Sequence, residues 1–226
     1  MPTGGSMDFL LKYAGRQASL VGLDPEDLIT RVITQTSSFY ELELLTEIFH
    51  RAMPGWIFVD AGAHIGNHSV FLGAILELEG HAIEQNPQTF AALQRNLAAN
   101  QLTDRVRAIN AAVGSRAGRA KTVLAEDAHN SGMDRVELSP DGPLAVVTLD
   151  SLDLPRLDLL KIDVEGYEVE CLKGAQNTLT RCSPLIVAEA IGPKDFQAQS
   201  DFLGPLGYRA VRRFNVTPTY IYEKRL

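Results

Sequence analysis

"FVDAGAHIGNHSV", residues 58–70, decides the fold. A short apolar run from Trp56 ends in Asp60, Gly62 and Gly66 follow, and a new apolar run begins at Val70. A continuous apolar run of this length suits a strand buried on both faces of a parallel sheet. The glycines let the backbone approach a ligand closely. A helix start beyond them offers N–H groups that have no intrahelical partner. The stretch therefore reads as strand, turn and helix, with a carboxylate at the strand end.

The same rhythm continues outward. "HAIE" (81–84), "VRAINAAV" (106–113), "LDLLKID" (157–163) and "PLIVAEA" (184–190) read as further strands. Helices follow at about 67–78, after Asn86-Pro87 as N-cap and first helical proline, after residue 165 with Val169, Leu172 and Leu179 inward, and near 195–203. "YRAVRRF" and "TPTYIYEK" close the chain as an antiparallel pair. Strand–helix alternation over 56–203 predicts an α/β fold, an open and mostly parallel sheet with helices on both faces. Between 114 and 150, turn signals at Gly114, Gly118, Gly132 and Pro140-Asp141-Gly142 separate "KTVLA" from "AVVTL", which predicts an insertion with a β-hairpin. Residues 7–53 read as helical, with Phe9, Leu10 and Tyr13 on one face and Leu42, Leu45, Ile48 and Phe49 on another. The expected plan is a helical extension or lid over 1–53 and a main domain over 54–226.

Composition narrows the function. The 226 residues suit one domain plus an extension. A formal charge of −7 without a basic run argues against nucleic acid as a partner and against a membrane surface. Cys171 and Cys182 lack metal-ligand spacing and read as free thiols of a reducing compartment. No signal peptide or apolar run of membrane-spanning length is present, so the expected location is the cytoplasm, without membrane insertion. "MPTGGSM" reads as a flexible leader.

In open α/β sheets, ligands bind outside the carboxyl ends of the strands. Asp60, Glu84, Asn110, Asp163 and Glu189 all fall there. A dinucleotide fingerprint would need glycines where His64 and Asn67 stand, and Asp60 would repel a pyrophosphate. Glu84, at the next strand end, suits the hydroxyls of a ribose. An amino-acid end near Asp60 and a ribose near Glu84 together describe S-adenosylmethionine (SAM). Lys161 and Asp163 are two apart on a strand and share a face, as an ion pair or toward a cleft. Glu165 follows at the strand end, and Gly166 permits the turn.

"VDAGAHIGNHSV", "IEQNP" and "LLKIDVEGYEVECLKGA" together resemble the FkbM family of SAM-dependent methyltransferases, from about Trp56 to Ala190. The resemblance implies a Rossmann-like class I methyltransferase fold, a seven-stranded sheet with one antiparallel strand. It also implies O-methylation of a small molecule, sugar, glycolipid or polyketide-type product. By position, Asp60, Gly62, Ala63, His64, Gly66, Asn67 and His68 fall on the cofactor loop. Asparagine is commoner in the family where this chain has His64. Glu84 falls on the ribose acid, Asn110 and Ala111 flank the adenine, and Lys161, Asp163 and Glu165 fall on the late signature beside the acceptor. Asp163 also borders the cofactor. The chemistry expected is in-line displacement on the sulfonium methyl. Asp163 or Glu165 would act as base, and Lys161 would tune charge or orient the acceptor.

Other readings have specific anchors. Magnesium held by Asp163 and Glu189 is a metal-assisted variant. A nicotinamide-dependent oxidoreductase could use Glu84, and a SAM-binding module without catalysis could use the same loop. His64 and His68 have zinc-like spacing but no third ligand. Asn67-His68-Ser69 matches a glycosylation sequon at a buried helix start. "HNSGMD" (129–134) could reach the acceptor, and Phe39, Tyr40 and Glu41 could cover the cofactor.

Overall fold

A computed structural model describes residues 5–123 and 135–224. The loop "HNSGMD" lies outside the described residues. The chain opens with strands β1 (Met7–Tyr13) and β2 (Arg16–Leu23), paired antiparallel, which corrects the helical reading of this stretch. Ala14 and Gly15, at φ 49° and 80°, form a two-residue turn whose twist matches a hairpin. Phe9, Leu11 and Tyr13 face inward with a period of two, while Leu10 is exposed. Helices α1 (Leu28–Thr36) and α2 (Leu42–Arg51) follow.

The main body runs β3 (Ile57–Ala61), α3 (Asn67–Val70) continuing as a π turn to Ile75, β4 (Glu79–Glu84), α4 (Pro87–Ala99) and β5 (Val106–Asn110). Asn86 caps α4 by accepting from the Gln88 N–H, with proline first in the helix. Strands β6 (Ala112–Val113), β7 (Gly118–Val123), β8 (Arg135–Leu138) and β9 (Leu144–Val147) make a small separate sheet. Then come β10 (Leu159–Ile162), α5 (Glu168–Lys173), α6 (Gln176–Cys182), β11 (Leu185–Glu189), α7 (Pro193–Leu203), β12 (Tyr208–Phe214) and β13 (Thr219–Lys224).

The large sheet has seven strands in the order β12-β13-β11-β10-β3-β4-β5. Only β13 runs against its neighbours. Alternate side chains feed two cores. Phe58, Ala82, Leu159 and Val187 face the layer of α2, α3, α4 and the hairpin. Val59, Ile83, Leu160, Ile162 and Ile186 face α5, α6 and α7. The single helix expected after residue 165 is two, and at the break only glycine fits, since a Cβ at Gly174 would lie 2.0 Å from the Gly114 carbonyl. The β6–β7 turn passes there, and Asp150 caps the restarted helix through the N–H groups of Asn177 and Thr178.

The hairpin is tied down by polar side chains of α4. Asn96, fully buried, accepts from Val21 N at 2.7 Å and donates to the Ile65 carbonyl at 2.7 Å. Asn100 bridges Ser19 N and O in the same way. These bonds satisfy one edge of β2 and join it to the loop before α3.

Candidate active site

Asp60 and Lys161 are register partners across β3 and β10, so their side chains share a face. Lys161 Nζ lies 3.2 Å from Asp60 Oδ1 and 3.4 Å from Asp163 Oδ2, and donates to the Gly62 carbonyl at 2.8 Å. Asp60 is fully buried, and its Oδ2 accepts from Ser69 Oγ at 2.6 Å. Burial opposes the Lys161 charge, but Asp60, then Asp163 and Glu41, outweigh it and hold its pKa above the ordinary lysine range. The structure thus places Asp60 behind the loop and off the cleft wall. Its charge is committed to Lys161.

The loop itself is tight. Gly62 has φ +81°, and a Cβ there would lie 1.7 Å from the Asp163 carbonyl oxygen. The N–H groups of Gly62 and Ala63 both donate to the Ile83 carbonyl, at 2.9 Å. His64 sits in the left-handed region at φ 49°, where asparagine is among the best tolerated side chains. That gives a backbone reason for the asparagine the family favours. Gly66, at φ +91°, caps α3 against Leu93.

Asn67 and His68 turn away from the loop. Asn67 Oδ1 accepts from Tyr40 N at 3.1 Å, and its Nδ2 donates to Tyr40 O at 3.0 Å. His68 Nε2 lies 3.1 Å from Glu41 Oε2. The two residues join the Tyr40–Glu41 segment to the helix that follows the glycine loop. Phe39 is core, packed edge-on against Phe71 at 5.1 Å.

Glu84 is oriented by three donors. Oε2 accepts from His64 N at 2.8 Å, and Oε1 accepts from Asn86 N at 2.7 Å and Thr89 Oγ1 at 3.0 Å. A carboxylate offers about four lone-pair sites, so one remains. Thr89 Oγ1 also lies 3.1 Å from the Asn86 carbonyl, so a turn of its hydroxyl frees a second. Asn110 donates to the carbonyls of Glu84 and Gln85, which fixes the end of β4.

These residues open on a cleft of about 280 Å³. Gly62, His64, Ile83, Glu84, Gln85, Ala111 and Val164 line it together with Leu28, Tyr40, Glu41, Asp163, Glu165, Glu189, Ile191 and Thr217. The acid oxygens of Asp163, Glu165 and Glu189 approach within 4.8 Å of one another, the one such acid group among the described residues. Burial, then Asp163 and Glu165, push Glu189 up to about 9. Burial, then Glu41 and Asp163, push Tyr40 up to about 12. Glu165 and Gly166 are both left-handed, at φ 52° and 92°. Glu168 holds that turn by accepting from Val164 N and Gly166 N. Sequence reasoning passed over Glu168, Ser69 and Asn96. Glu168 alone carried a signal, as a buried acid inside the late motif.

Sheet order, glycine loop and strand-end acids define the class I methyltransferase fold. Crystal structures agree. An FkbM methyltransferase from Methylobacillus flagellatus KT superposes with TM-score 0.57 at 19% identity, over 75% of this chain and 43% of that one. A precorrin-6y C5,15-methyltransferase from Geobacter metallireducens GS-15 superposes with TM-score 0.52 at 18% identity, over 81% and 87%. The family model for the methyltransferase FkbM domain matches residues 60–211, and the chain belongs to that family. It is similar to the hexuronic acid methyltransferase AglP of Haloferax volcanii, 27% identical over 69% of this chain and 65% of the relative. It is also similar to the methyltransferase sdnD of Sordaria araneosa, 29% identical over 64% of this chain and 70% of that one. No helix among the described residues is long and apolar enough to cross a membrane.

Proposed function

We propose that the protein transfers a methyl group from SAM to a hydroxyl of a small molecule or sugar. One observation carries this reading. A single cleft joins a glycine loop and an oriented ribose acid to a group of carboxylates. The family membership and a relative named for a hexuronic acid support methyl transfer to a sugar. In this reading Glu84 accepts from the ribose hydroxyls as the Thr89 hydroxyl turns toward Asn86. The wall from Ile83 to Val164 takes the adenosine, and the amino-acid end lies against Gly62 and His64 of the loop. The methyl is then directed toward the carboxylates.

Bringing acceptor oxygen, methyl and sulfur into line supplies most of the rate. The O–C bond forms as the C–S bond breaks, S-adenosylhomocysteine (SAH) leaves, and the acceptor proton passes to a carboxylate. Asp163 fits this role best, because it lines the cleft, its backbone packs against the glycine loop, and its side chain is ion-paired with Lys161. Glu165 is the second choice. The N-terminal segment around Tyr40 covers the acceptor end. The test is transfer from methyl-labelled SAM to a panel of hydroxylated acceptors, with the product examined for a new O-methyl signal. Asp163→Asn should lower kcat by roughly 10²–10⁴-fold while SAH still binds. Transfer to nitrogen or carbon alone, or full turnover by the variant, would overturn the assignment.

A further inference from the structure

The backbone of Tyr40 is held by one side chain. Its N–H donates to Asn67 Oδ1 at 3.1 Å, and its carbonyl accepts from Asn67 Nδ2 at 3.0 Å. Such a grip needs an acceptor and a donor on one rigid group, which a carboxamide supplies. Asn67 is 2% exposed and is not among the residues that line the cleft, so this is the work it does there.

The gripped segment links α1 to α2 through Ser37 and Glu41, both left-handed at φ 53° and 56°. Residues with a side chain persist in that region where their surroundings hold them, and such positions gather at clamps and switches. A second hold is on Glu41. Its Oε1 accepts from Asn215 Nδ2 at 2.6 Å, and its Oε2 lies 3.1 Å from His68 Nε2. Asn67 and His68 directly follow Gly66, the last glycine of the loop. Tyr40 and Glu41 line the same cleft as Gly62 and His64. The loop and the segment are therefore joined twice, once through the cleft they share and once through the start of α3.

We infer that Asn67 is a positioning residue that couples the Tyr40–Glu41 segment to occupancy of the cofactor loop, so that this wall of the cleft is set when the cofactor binds. The inference rests on the reading of the loop as a SAM site. With the segment gripped, the start of α3 and the loop before it are pre-organised, and pre-organisation strengthens binding. Coupling between two sites is reciprocal, so a ligand on the loop must steady the segment by the same factor. Without the carboxamide the loop still binds, less tightly, and the segment no longer responds.

The experiment follows hydrogen exchange by mass spectrometry in the full-length protein, with and without SAH, over peptides covering residues 37–45. SAH should slow exchange there by about tenfold or more in the wild type. In Asn67→Ala the slowing should fall below about threefold, and calorimetry should show SAH bound on the order of three- to tenfold more weakly. Asn100→Ala is the control, because Asn100 holds Ser19 N and O by the same two bonds, at 2.8 and 2.7 Å, in the N-terminal hairpin. It should lower Tm yet keep both the slowing and the SAH affinity. If the alanine protein melts below the assay temperature, Asn67→Ser, which leaves one hydroxyl to meet Tyr40, takes its place. A wild-type segment indifferent to bound SAH overturns the inference. So does an Asn67 variant that keeps the full slowing, or an Asn100 variant that loses it equally. Failure of SAH to bind the wild type would overturn the cofactor reading, and the inference with it.

Discussion

Replacing Lys161 by methionine separates a structural role from a catalytic one. Methionine keeps the length and apolar stem of lysine and removes its charge. Asp60 would then be a fully buried carboxylate left with Ser69 alone. At the observed Nζ–Oδ1 distance of 3.2 Å, the lost attraction is about 5 kcal/mol for an effective dielectric of 20. Asp163 adds less, since its side chain is 35% exposed and partly screened. Removing one partner of a buried pair typically costs about 3–5 kcal/mol. For a chain of this size that lowers Tm by roughly 6–20 °C. Asp60→Asn alone should also destabilise, because it strands the lysine. The double variant should recover about 2 kcal/mol or more relative to the sum of the singles. Calorimetric melting of the four proteins measures this. A Lys161→Met protein that melts with the wild type would refute the paired-charge account. It would return Lys161 to a role in chemistry alone.

Three further outcomes are expected. Gly62→Ala would drive a methyl group into the Asp163 carbonyl at a positive φ, so it should cost about 2–4 kcal/mol and weaken SAH binding at least tenfold. Unchanged SAH affinity in that variant would show that the loop has slack. Glu189 has a raised pKa, so the unfolded chain ionises first and the group lowers stability progressively from about pH 4.5 until it too ionises near 9. Glu189→Gln should therefore melt on the order of 1–2 kcal/mol above the wild type at pH 8–9 and near it at pH 5, and a gap that does not grow with pH would contradict this. Chelation should leave turnover unchanged, because Lys161 already gives Asp163 a cation, whereas loss on chelation and recovery with magnesium would make the three carboxylates a metal site.

The central sheet was legible because its strands are continuous apolar runs and its strand-end acids stand out against them. The single reversed strand followed from the family resemblance. The N-terminal hairpin was not legible, since Phe9 and Tyr13 satisfy a period of two as well as a helical one. Ala14 is also not a usual residue for a left-handed turn position. The site was legible in part. Lys161 and Asp163 share a face, as their spacing requires, but the deeper partner is Asp60, reached only through the register of a second strand. Asn67 and His68 looked like cofactor ligands because they stand in the cofactor loop. Their partners, Tyr40 and Glu41, lie 27 residues earlier in the chain, and no local pattern encodes such a pairing. Gly114 was visible as a turn signal, while Gly174 fell inside the expected helix. Their close approach, at the point where the helix breaks, was not visible.

The measurement that bears most directly on the account is calorimetric titration of the purified protein with SAH, alongside Glu84→Ala and an NAD control. Micromolar binding of SAH is expected, weakened at least tenfold in the variant, with no heat from NAD. Binding of NAD without SAH, or SAH affinity untouched by loss of Glu84, would contradict it.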